Sequence, residues 1–131
     1  MNREKLLELY KKYDLQKDDV YKHQHYVIIT RKGIEKIQAK ENITITYEVV
    51  KCETNFAVFK ANAYLSAKPN TILETFGSAL KGANYKDGNC NSWYVAEMAE
   101  KRALSRAVLK LTGFYELGVF GEDESDDFKK K

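Results

Sequence analysis

Ala96, Ala99, Ala103 and Ala107 recur at intervals of three and four in a stretch without proline or glycine, which puts all four methyl groups on one side of a helix. Such a face has little to insert between neighbouring side chains. It lets a helix backbone lie close to a flat partner. The segment FAVFKANAYLS, beginning at Phe56, supplies one when read at a period of two. One face then carries Ala57, Phe59, Ala61, Ala63 and Leu65, and the other Phe56, Val58, Lys60, Asn62 and Tyr64. A helix laid on the small-residue face of a sheet is therefore the expected centre of the fold.

The rest of the chain can be arranged around that pair. Leu6, Leu7, Leu9 and Tyr10 sit among charges in a helix-like pattern over residues 2–13, and Asp14 to Asp19 breaks it. Residues 1–19 are expected to form a helical arm that packs on a neighbour or on its own domain. Asp14, Asp18 and Asp19 are expected to form turns and caps rather than a nuclease carboxylate set. A buried strand is expected over 24–30 and a short helix over 31–42. Ile43, Ile45, Tyr47 and Val49 alternate with Thr44, Thr46 and Glu48, a half-buried strand. A turn at 53–55, the FAVFKANAYLS strand, a turn at Pro69–Asn70 and a strand in TILETFG complete an antiparallel meander. Residues 77–92 read as a long exposed loop. The long helix then runs from Ser92 as N-cap to Leu111, with Gly113 just beyond it. The expected class is α+β: a meander of three to four strands packed against one long C-terminal helix, with a short N-terminal helix. Residues 1–120 form one domain and 121–131 a flexible tail.

A chain of 131 residues, 44% hydrophobic and 31% charged, can bury a core of its own. Cys52 and Cys90 are not in a CxxC spacing, and the N-terminal MNREKLLELY is too charged for a signal peptide. Both features predict a reduced, cytoplasmic setting, and no apolar run is long enough for a membrane span. The chain has 22 basic and 19 acidic residues; setting aside the tail's five acids and three lysines leaves 19 against 14, or +5, for the body. That balance suits a polyanionic partner.

Arg102, Arg106 and Lys110 repeat every four residues beside the alanine face, with Lys101 further round. They are candidates for phosphate contact through charge-assisted hydrogen bonds. The competing reading pairs them with Glu97 and Glu100 on a solvated face. Lys60 on the strand and Lys81, Tyr85 and Lys86 in the loop complete the candidate DNA-binding set. Phe56, Tyr64, Tyr85 and Trp93 could stack unpaired bases, or serve as core and subunit contacts. His23 and His25 would share a strand face, but two ligands are too few for a metal site. No phosphate loop, HExxH, serine elbow or carboxylate cluster is present, so binding is expected rather than catalysis, with no cofactor.

The stretch YVAEMAEKRALSRAVLKLTGF resembles the signature helix of the Rad-fifty-two/Erf-like superfamily of single-strand annealing proteins. Ala96, Ala99, Lys101, Arg102, Ala103, Leu104 and Gly113 carry the likeness. Upstream, Tyr26, Thr30 and Gly33 resemble the strand-to-helix entry of phage and bacterial recombination proteins. The chain departs from the pattern at Ser105, where a cation would follow Leu104, and Arg106 comes one position later. The resemblance implies a β-β-β-α core, a homo-oligomeric ring or filament, single-stranded DNA in a basic groove without ATP, and a phage origin with function in the host cytoplasm. The tail's acids followed by Phe128 resemble the tips by which bacterial single-strand binding proteins recruit partners. Such a likeness implies a protein partner, although the closing lysines differ from that pattern and a plain solvating tail is the competing reading. The expected function is single-stranded DNA binding in recombination or replication, extending to annealing. The alternative is an assembly protein that uses the alanine helix and the N-terminal arm for subunit contacts.

Overall fold

The computed structural model describes residues 3–23, 26–82, 88–90 and 93–122. It is an α+β fold with two small sheets. In order, α1 (Arg3–Lys12) leads through a 3-10 turn (Lys17–Asp19) to β1 (Val20–His23), β2 (Tyr26–Ile29) and α2 (Arg31–Glu41). β3 (Ile43–Cys52), β4 (Phe56–Leu65) and β5 (Leu73–Leu80) follow, then α3 (Val95–Thr112), a second 3-10 turn (Tyr115–Leu117) and β6 (Val119–Gly121).

The meander forms as its alternation predicts, in the order β3-β4-β5 and antiparallel throughout. α3 packs across β4 and β5. Ala99, Ala103 and Ala107 are fully buried, as are Ala57, Ala61, Ala63 and Ala79 beneath them. Small residues are needed there because the backbones nearly touch. A methyl group on Gly77 would overlap the carbonyl oxygen of Ala99 and the amide nitrogen of Ala103. The hydroxyl of Thr75, two residues away on the same strand face, donates to the Ala103 carbonyl at 2.8 Å. Gly113, at φ 88°, ends α3 in a left-handed conformation that costs glycine little.

The N-terminal half of α3 closes over the sheet, where Val95 and Ala99 meet Ala57, Ala79 and Cys90. Its C-terminal half enters a second cluster in which Val108 and Leu109 join Ile34, Ile37, Val27, Ile29, Val119 and Phe114. α1 packs on this second cluster, which settles the direction of the arm. Leu6 and Tyr13 are buried there, and the Tyr10 ring stacks on Phe114 at 6.4 Å. The Tyr13 hydroxyl donates to Glu41 at 2.6 Å, tying the end of the arm to the end of α2.

Several boundaries differ from expectation. The single strand expected over 24–30 is the second strand of an antiparallel pair, because Val20–His23 is also extended and pairs with Tyr26–Ile29. β6 then adds to β2 in parallel, through contacts a local pattern of three residues does not announce. β5 begins at Leu73 and runs on to Leu80, so the exposed loop begins later than residue 77. α3 starts at Val95 with Tyr94 in the N-cap position; Ser92 lies outside the described residues. Asp14, at φ 54°, makes the expected turn, whereas Asp19 is fully buried. The Asp19 carboxylate accepts from the Gln16 amide at 2.9 Å and the Lys36 ammonium at 2.7 Å. Among the described residues, no helix is long and apolar enough to cross a membrane.

Candidate functional site

The cations of α3 do not form one open ridge. Arg102 is only 4% exposed, and its guanidinium donates to the carbonyls of Ser78 and Asn89, both at 2.7 Å. Arg106 donates to the Phe76 carbonyl at 2.9 Å. The geometry has a simple origin. β5 is an edge strand, so every second carbonyl points away from β4 and lacks a strand partner. Four residues of helix rise about 6 Å, close to the ~6.7 Å between alternate strand residues. The pair at i and i+4 on α3 therefore meets the carbonyls of Ser78 and Phe76 in register. Arg102 thus turns inward onto the sheet edge and Asn89, not toward a nucleic-acid backbone as the sequence suggested, while Arg106 bonds the same edge and stays half-buried.

Lys101 is half-buried and Lys110 exposed, the latter with its ammonium 5.2 Å from the Tyr115 ring centre. Lys60 lies on the outer sheet face as expected, but between two carboxylates, at 2.9 Å from Glu74 and 3.5 Å from Glu48. The bond to Glu74 leads the effects that hold its pKa above the ordinary lysine value. Its charge is thus matched within the sheet by two carboxylates. Lys81 stands 4.9 Å from the centre of the Trp93 ring. Tyr85 and Lys86 lie outside the described residues, as do His25 and the tail from Asp123 onward. Among the described residues, no group of three or more His, Cys, Asp or Glu could hold a metal ion.

The structure does assemble a set of rings. Register places Phe56, Val58, Lys60, Asn62 and Tyr64 on the sheet face away from α3, beside Leu80, Ser78, Phe76 and Glu74 of β5. Phe76 is 49% exposed and Leu80 38%. Phe76 was missed in the sequence, although the alternation of LETFGSAL, with Thr75, Gly77 and Ala79 facing inward, carries the signal. At one end of this face the Lys51 ammonium lies 5.9 Å from the Phe56 ring while bonding Glu53 at 3.0 Å. Lys81 joins the same end, its amide donating to the Asn55 carbonyl at 2.7 Å. Trp93 and Tyr94 flank it at the start of α3, 65% and 70% exposed. On the inner face, Tyr47 is pushed up to about 12 by burial first and by Glu100 second, so it stays a neutral phenol.

Within this chain the alanine face of α3 packs on the sheet, and α1 packs on the second cluster through Leu6. Comparison with known proteins returns no match: no family model fits the sequence, and no curated protein or solved structure is significantly similar to it.

Proposed function

We propose that this chain binds single-stranded DNA without catalysis, in phage-type recombination or replication, and brings complementary strands together without ATP. The observation that carries the reading is the outer face of β3-β4-β5, away from α3, where among the described residues Phe56, Phe76 and Tyr64 share a surface with Val58 and Leu80. Rings on an open sheet suit unpaired bases, each stacked base contributing about 1–3 kcal/mol, while duplex keeps its bases stacked inside. Lys81, Lys101 and Lys110 would supply backbone attraction beside the sheet and along the helix. The basic body and the resemblance of α3 to the signature helix of annealing proteins support the same reading.

The test is fluorescence anisotropy with a labelled oligothymidine across a salt series, with duplex of equal length as competitor. Affinity that falls with salt, resists duplex and drops about fivefold or more in Phe76→Ala supports the reading. Absence of binding at low salt refutes it. A complementary-strand assay then separates annealing from simple strand protection.

A second reading, an assembly protein that binds no nucleic acid, is favoured by Val49 and Val50. Both are exposed on the edge strand β3, where the pairing with β4 is interrupted between Val49 and Lys51. Light scattering together with the same anisotropy series distinguishes the two: self-association without DNA binding supports this alternative.

A further inference from the structure

We infer that Trp93 and Lys81 form a discrete nucleotide subsite, in which the indole stacks one unpaired base and the ammonium meets that nucleotide's phosphate. The inference rests on the function proposed above and adds a site beyond the sheet face. Three features of the structure converge on it.

The first is exposure: Trp93 is 65% exposed, an unusual state for the largest apolar side chain, and the neighbouring Tyr94 is 70% exposed. The second is charge. The Lys81 ammonium lies 4.9 Å from the indole centre, an arrangement that sets a cation beside an aromatic plane. A stacked nucleotide presents the same two chemistries together, a flat base and an anionic phosphate. The third is rigidity of the support. Lys81 is anchored by its backbone amide, which donates a hydrogen bond to the Asn55 carbonyl at 2.7 Å. The next residue, Gly82, donates to the Cys90 carbonyl at 2.8 Å, and the amides of Asn89 and Cys90 both donate to the Leu80 carbonyl. The Asn89 side chain accepts from the Leu80 amide at 2.7 Å, and Arg102 grips the Asn89 carbonyl from below. On its other side, Trp93 is two residues from Val95, which is buried at the start of α3. Lys81 is thus mounted on a hydrogen-bonded stretch of chain, and Trp93 lies just ahead of a buried helix start.

The site selects for single strands because a ring can stack only on a base released from its pair. Lys81 directly follows Leu80, the strand partner of Phe56, which places the subsite next to the end of the sheet.

Trp93 is the only tryptophan in the chain, so its fluorescence reports on this site alone. The full chain is titrated with unlabelled oligothymidine while intrinsic fluorescence is followed, and labelled oligothymidine is followed in parallel by anisotropy. The expected result is quenching that tracks the anisotropy curve. Trp93→Ala is expected to weaken affinity about tenfold, and Trp93→Phe to restore most of the loss. Lys81→Ala is expected to reduce the slope of log affinity against log salt by about 0.7, the loss of one phosphate contact on a single strand. Far-UV circular dichroism confirms that each variant keeps the fold. Binding by the unaltered chain without quenching, or with Trp93→Ala within twofold of it, overturns the subsite and leaves the proposed function standing. No binding by the unaltered chain at low salt overturns both.

Discussion

Replacing Arg102 by alanine should cost the fold far more than its surface charge suggests. The guanidinium makes two short bonds to backbone carbonyls, on Ser78 and Asn89, and is almost wholly shielded from solvent. A hydrogen bond from a charged donor contributes about 1.5–3 kcal/mol, so two set a range of about 3–6 kcal/mol. Water entering the truncated site would recover part of this, which places the expected loss at about 3–5 kcal/mol. Against a total stability of about 5–15 kcal/mol for a domain, that loss is a large share of the whole. With a urea m-value of about 2 kcal/mol per molar, the midpoint of unfolding should fall by about 1.5–2.5 M with m unchanged. Arg102→Lys keeps the charge but places one ammonium where a planar fork spans two carbonyls, so it should recover at most half of the loss. Lys110→Ala, on the same helix but exposed, should change stability by no more than about 1 kcal/mol. Urea titrations followed by circular dichroism make the comparison. A midpoint for Arg102→Ala within about 0.3 M of the unaltered chain would refute the assignment of this residue to the fold, and would reopen its role as a phosphate ligand.

Other consequences can be checked on the same purified protein. Gly77→Ala forces a methyl group into the backbone of α3 and should destabilise by about 3 kcal/mol or more; a thermal midpoint unchanged from the parent would show that helix and sheet can separate freely. Tyr13→Phe removes the bond to Glu41 and should cost about 1 kcal/mol, read as a shift in urea midpoint, and a neutral result would mean the arm is held by packing alone. Burial would raise the pKa of Asp19, but the Gln16 amide and the Lys36 ammonium outweigh it and hold the group below its ordinary value. Its stabilisation is therefore fully present above the unfolded value of about 4 and is lost as pH falls through the lower folded value. Glu41, lowered by the Tyr13 hydroxyl and then by Lys12, acts in the same direction. Urea midpoints measured from pH 7 down to pH 3 should therefore decline for the parent and decline less for Asp19→Asn; parallel curves would remove Asp19 from the acid response.

What could be seen in the residues alone was whatever a local period encodes. The alternation through β3 and β4 identified the meander, and the methyl stripe of α3 identified its partner face, because each repeats over ten or more residues. Phe56, Lys60 and Tyr64 were placed on a common face for the same reason. Tertiary structure decided the fate of the charges. Arg102 and Arg106 look in sequence like any basic helix face, and only the register of α3 against an edge strand turns them toward carbonyls. Lys60 likewise becomes a neutralised centre only when Glu48 and Glu74 arrive on neighbouring strands. The parallel addition of β6 to β2 and the meeting of Lys81 with Trp93 belong to the same group. Periodicity assigns a side chain to a face, but a charge takes its role from partners that are distant in the chain and adjacent only after folding.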